Sequence, residues 1–146
     1  MKPQTLLFLF LTTLQVFFYF DFYSKKDPEL MTYYNSNMAV VKNYCEKPQY
    51  RNPFFITVKF EDTDEHELAH CQRKLNSFRI IVNKDYWNSF DENKRNQLMM
   101  HEMVHCLFNL DHVDDDTHFM SPYMGDIPQE TYEKQVEELL LIMCSK

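Results

Sequence analysis

Glycine is almost missing from this chain of 146 residues: there is one, together with six prolines. Fibrous and low-complexity chains need far more of both, so the sequence reads as folded rather than disordered. Basic residues are also short, 15 Lys and Arg against 22 Asp and Glu, for a formal net charge of −7. That balance argues against nucleic acid as a partner, because phosphate binding needs clusters of cations. No Cys-x-x-Cys occurs, which leaves a cysteine-type structural zinc site or a thioredoxin-like motif without support. Neither an internal repeat nor a long linker is present, and the length suits one modest domain.

What is there begins with core material: 45% of residues are hydrophobic and 16% aromatic. An apolar run, Leu6 to Phe20, follows Lys2 and is broken only by Thr12, Thr13 and Gln15. It fits a secretory h-region and is short for a bilayer span, which wants about 20 residues. No Ala-x-Ala-like cleavage site follows, and the flank is bulky: Phe20, Asp21, Phe22, Tyr23. Residues 1–24 are therefore expected to be a signal peptide or membrane anchor, and residues 25–146 the folded domain. The protein is expected to be secreted or extracytoplasmic, and membrane-tethered if the leader stays. Cys45, Cys71, Cys106 and Cys144 remain after that segment. In an exported chain they imply two disulfides, with three pairings open.

Residues 27–47 read as a helix, with Pro28 near its start and Leu30, Tyr33, Tyr34, Met38, Val41 and Tyr44 near a 3.6-residue period. Phe54 to Phe60 alternates as a strand. Leu68 to Gln72 is a short extended candidate, and Phe78 to Val82 is a β-branched strand ended by Asn83-Lys84-Asp85. Tyr86, Trp87 and Phe90 supply core bulk. Asp91 suits an N-cap for a helix running to about Phe108, and Asn109 suits its left-handed stop. Residues 110–128 have no clear period. Glu130 to Met143 reads as a last helix buried along Val136, Leu139, Leu140 and Met143.

The chemistry is concentrated in His101-Glu102-Met103-Val104-His105. Residues four apart share a helical face, so both imidazoles can reach one metal ion. Glu102 beside them can deprotonate a zinc-bound water and pass the proton to a leaving amine. This is the helical zinc-peptidase pattern. The bland alternative, two ordinary histidines, must still explain His and Glu on the inner face of an apolar helix, where charge needs a partner. A third protein ligand is required, with a fourth position open. Asp111, His112 and His118 are candidates.

From His101 to Tyr123 the sequence resembles the metzincin clan of zinc metallopeptidases, closest to its matrix-metalloproteinase branch. His101 and His105 match the family's helix ligands, Glu102 its general base, and Met120 in Phe-Met-Ser-Pro-Tyr its turn methionine, an apolar floor under the zinc. The family's third ligand falls six residues after the second, which here is Asp111; His112 comes one later. Yet the family's turn residue precedes that ligand by three, as Asn109 precedes His112, and its methionine follows by eight, as Met120 does. Both local frames favour His112, and Asp111 could then accept a hydrogen bond from a ligand. Asn109 stands where the family has Gly. Leu68-Ala69-His70 is similar to the edge strand on which an extended substrate pairs, and Phe78 to Trp87 to the strand before the active-site helix. Tyr123 is a candidate for the wall of the substrate site.

The resemblance implies an α+β fold: a small mixed twisted sheet, an active-site helix and a C-terminal helix, as in a metzincin-like (zincin) catalytic domain. It implies a zinc-dependent endopeptidase acting as a monomer on protein or peptide substrates with one catalytic zinc ion. No prodomain and no cysteine-switch motif are visible, and Cys45 is expected in a disulfide rather than on the metal. Calcium at Asp114, Asp115 and Asp116 lacks support, and so does a structural metal at His66 and His70; both groups read as polar surface. The alternative function is a catalytically degenerate metal-binding or adhesion module on the same fold. It draws on the missing Gly and the late third ligand, while intact Glu102 argues against it. A cysteine-stapled toxin or inhibitor would leave the histidines unexplained.

Overall fold

The computed structural model describes residues 26–45, 50–51, 53–64 and 66–145. The leader expected over residues 1–24 lies outside them. Among the described residues, no helix is long and apolar enough to cross a membrane.

Helix α1 spans Pro28–Tyr44, with residues 46 and 47 of the expected helix outside the described residues, and opens on Asp27, whose carboxylate accepts from the Glu29 and Leu30 amides at 2.9 and 3.3 Å. Proline at the first position has no amide to leave unpaired. Leu30, Tyr34, Asn37 and Val41 form the buried stripe. Asn37, a weak residue for a helix middle, is used there: its amide donates to the Tyr33 carbonyl at 3.0 Å and to the Asn96 side chain at 2.8 Å.

Strands β1 (Phe55–Phe60), β2 (Ala69–Lys74) and β3 (Ser77–Val82) form one mixed sheet in the order β1-β3-β2. β3 runs parallel to β1 and antiparallel to β2. The central strand is buried along nearly its whole length. Phe78, Ile80 and Val82 face the main core, and their register partners Ile56, Val58 and Phe60 lie on the same face, as the two-residue repeat of a strand requires. β2 occupies an edge, two residues longer at its C-terminal end than its side-chain periodicity suggests. Just before α1, Lys26 makes a parallel bridge to Val58, and the Asp27 amide donates to the Val58 carbonyl at 2.8 Å.

A short helix, α2 (Lys84–Ser89), stands where only a strand stop was expected. Asn83 caps it, accepting from the Asp85 and Tyr86 amides at 3.0 and 3.4 Å. It delivers Trp87, fully buried, whose indole donates to Glu29 at 2.8 Å and meets Tyr33 edge-on with ring centres 4.9 Å apart. Helix α3 (Glu92–Phe108) runs through the middle of the molecule and packs on α1, β2, β3 and the last helix, α4 (Gln129–Cys144). On α4, Tyr132, Val136 and Leu140 are buried, whereas Leu139 and Met143 are half-buried rather than fully enclosed.

Two disulfides select one of the three pairings: Cys45–Cys144 and Cys71–Cys106. The first staples the end of α1 to the end of α4; the second ties β2 to α3. They fit an oxidising compartment. Cys45 and Cys144 are 99 residues apart, and cross-linking a loop that long removes about 4–5 kcal/mol of unfolded-state entropy. Cys45→Ser with Cys144→Ser is therefore expected to lower the unfolding free energy by about 2–5 kcal/mol in a denaturant titration, with the metal site intact.

Candidate metal centre

The site begins with the two ends of α3. Asp91 caps the start, accepting from the Lys94 amide at 2.8 Å. At the other end Asn109 adopts the left-handed conformation, φ 60° and ψ 39°, the only positive φ among the described residues. A non-glycine residue resists that region, and Asn resists it least. The reversal sends Leu110 back along the helix, where its carbonyl accepts from Nδ1 of His105 at 2.5 Å. Two residues on, His112 arrives over the helix face. The Val113 amide donates to the Met120 carbonyl at 2.9 Å, joining this segment to the loop that carries Phe119. The Phe119 carbonyl accepts from Nδ1 of His101 at 2.8 Å.

These contacts determine which nitrogens are bare. A carbonyl oxygen can only accept, so Nδ1 carries the proton in both helix histidines and Nε2 presents a lone pair. The two Nε2 atoms nevertheless sit 3.0 Å apart, and Nε2 of His112 is 3.2 Å from each. Tetrahedral zinc–nitrogen bonds of about 2.0–2.1 Å hold their nitrogens about 3.3–3.4 Å apart. The donor set and its spacing therefore fit a metal ion, and the three histidines form a cluster that can hold one. Burial favours the neutral, ligating form: chiefly through desolvation, His101 is pushed down to about 4, and His105 is also lowered.

Glu102 points into the same space. It is 4% exposed, and its Oε2 has no hydrogen-bond partner among the described residues. Burial, helped by the charge of Glu67, pushes the carboxyl up to about 8. An isolated buried carboxylate is costly, and an adjacent cation would oppose that shift.

Asp111 lies outside the histidine cluster, exposed, in the cleft wall. His118 turns away: its Nδ1 accepts from the Met120 amide at 3.0 Å and its ring stacks on Phe119. Met120 is 1% exposed. Tyr123 is largely solvent-exposed, beside Pro122 and Met124 of the cleft wall. Asp115 caps its own loop by accepting from Thr117, with Asp114 and Asp116 exposed beside it. His70 is held by Glu67 at 2.9 Å and Gln72 at 2.9 Å, while His66 lines the cleft.

The cleft has two lobes of about 430 and 340 Å³, and Glu67, Ala69, Glu102 and His112 line both. The larger continues to Leu98, Ser121 and Met124; the smaller to His105, Asp111 and Arg73. β2 borders both lobes as the edge of the sheet, and the Cys71–Cys106 bond holds it to α3 one residue beyond His105.

Sequence reasoning missed the two orienting carbonyls and Gln135. The Gln135 side chain on α4 accepts from the Phe119 amide and donates to the Thr117 carbonyl, both at 2.9 Å. It thereby clamps the loop that orients His101. Backbone acceptors leave no residue signature, and a Gln on a half-polar helix face has no distinctive spacing. No family model, curated protein or solved structure matches this chain.

One zinc ion per chain is expected by elemental analysis. His112→Ala should weaken its binding more than about 100-fold and Asp111→Ala should leave it within about tenfold, because only the imidazole joins the cluster. The reverse ranking would move the third ligand to residue 111. Gln135→Leu should weaken zinc about tenfold in competition with a chelator, the scale of losing a group that orients a ligand.

Proposed function

We propose that the protein is a zinc-dependent endopeptidase of metzincin type. The observation that carries this reading is the convergence of three imidazole Nε2 atoms at 3.0–3.2 Å beside a buried carboxylate whose Oε2 has no partner among the described residues. A purely structural zinc site closes all four positions with protein ligands; here three side chains converge and the space beyond them opens into the cleft. Bound zinc would supply Lewis acidity, polarising a peptide carbonyl and acidifying water.

The remaining roles belong to this chain. Glu102 would take a proton from water and hand it to the departing amine. Its burial suits that work, since a carboxylate kept from bulk water is a stronger base than an exposed one. An extended peptide would add alongside β2, at the edge of the sheet, by backbone hydrogen bonds, with side chains on either side of the scissile bond entering the two lobes. Both lobes continue past the histidine cluster, which favours cleavage within a chain over removal of an end residue. The disulfides agree with an extracytoplasmic setting, and the α+β architecture with a small zincin-like domain.

Two features bear on the degenerate-module alternative and support the peptidase reading over it. Asn109 takes the left-handed turn without glycine, and His112 reaches the cluster despite its late position.

Glu102→Gln tests the mechanism. It should keep zinc and lose hydrolysis of an unfolded protein substrate by about 10²–10⁴-fold, the usual contribution of a general base. Undiminished hydrolysis by that variant would sink the proposal.

A further inference from the structure

The two most exposed large hydrophobic residues described are Leu75 and Phe54, at 91% and 83%. They are neighbours in space. Leu75 lies in the turn between β2 and β3; Phe54 sits just ahead of β1, and its amide donates at 2.9 Å to the carbonyl of Asn76, the residue after Leu75. The turn is held rather than loose, since the Arg51 guanidinium donates to the carbonyls of Lys74 and Leu75. Phe55 adds a partly exposed ring.

Charge at this tip runs against that of the chain. Residues 50–58 and 71–78 contain Arg51, Arg73 and Lys74 and no Asp or Glu, in a protein of net charge −7. The direction of the backbone adds an independent observation. Lys26 pairs with Val58 in parallel, so its N-terminal side points toward the start of β1, the end of the sheet that carries the tip. Lys25 and the apolar run Leu6 to Phe20 precede it in sequence.

We propose that this tip docks on an anionic lipid bilayer, with Phe54 and Leu75 entering the acyl boundary and Arg51 and Lys74 meeting the headgroups. Apolar side chains ringed by cations bind such surfaces through burial plus electrostatic attraction. One consequence rests on the peptidase reading, though the docking does not. β2 leads from the cleft at Ala69 to the tip, and six residues of strand span about 20 Å. A docked molecule would thus work on chains close to the membrane surface.

The test uses the full chain with an environment-sensitive dye at Leu75→Cys, and a control dye at Glu138→Cys on α4. The vesicles are phosphatidylcholine with or without phosphatidylserine. The leader can hold the chain on a vesicle by itself, so the readout is immersion at position 75 rather than attachment. In phosphatidylserine vesicles the dye at 75 should shift to the blue and be quenched by lipid-borne quenchers, while the dye at 138 stays aqueous. High salt, or Phe54→Ser, should cut the shift several-fold. These positions are exposed, and an unchanged circular dichroism spectrum verifies folding without reference to zinc or hydrolysis. A dye at 75 that stays aqueous overturns the proposal. So does an equal shift in neutral vesicles, or a shift that grows with protein concentration without lipid, which would make a second copy of the chain the occupant.

Discussion

Everything at the site depends on two ring protons being committed elsewhere. His101 gives its Nδ1 proton to the Phe119 carbonyl and His105 gives its own to Leu110. Each neutral imidazole then has a lone pair and nothing else to offer at Nε2. Facing lone pairs repel, and here a third imidazole is brought in beside them. A cation among the nitrogens, or an Nε2–H of His112 donating to its neighbours, relieves that repulsion. The same two bonds also stop the rings from turning, which is what a ligand set needs before its metal arrives.

Much of the molecule serves to hold those two carbonyls. α3 is the most enclosed helix, so His101 and His105 stand on a rigid base. The Phe119 carbonyl is held from two sides: Gln135 fixes the Phe119 amide from α4, and Val113 ties to Met120 next door. The Cys45–Cys144 bond secures α4 in turn. A small sheet of three strands offers limited core, and small domains compensate for that with covalent staples. The second staple, Cys71–Cys106, sets the spacing between the edge strand and the helix, which is the width of the cleft.

What was legible in the sequence was whatever has a period or a local cap. The amphipathic stripe of α1, the alternation of β1 and the ends of α3 at Asp91 and Asn109 could all be read from residue types alone. So could the meeting of His101 and His105, because four residues of helix bring them together. α2 was not legible, because six residues are too few to show a helical period and its cap at Asn83 looked like a strand ending. The strand edges were blurred for a related reason: Arg73 and Lys74 pair with β3 through their backbone, with no apolar face to announce it. The disulfide pairing needs distances that spacing does not contain. The orienting carbonyls belong to any residue type, so no pattern of side chains could mark them.

The one-residue displacement of the third histidine has a physical resolution. Two separations bear on it: one from the second helix ligand, the other from the turn. The first counts residues that are still helical, and each residue added there turns the segment beyond by about 100° and carries it about 1.5 Å along the axis. The second counts residues that must cross a defined gap. Leu110 has to place its carbonyl on His105, and the chain has two further residues in which to bring an imidazole to the same nitrogen cluster. Shortening that step by one would offer Asp111, whose carboxylate lies instead in the cleft wall. The helix end aims that step and the distance from the turn sets its reach. Asn109 can set it without glycine, because the left-handed region costs Asn less than other side chains. By this argument, inserting a residue either between His105 and Asn109 or between Asn109 and His112 should carry the third imidazole away from the other two.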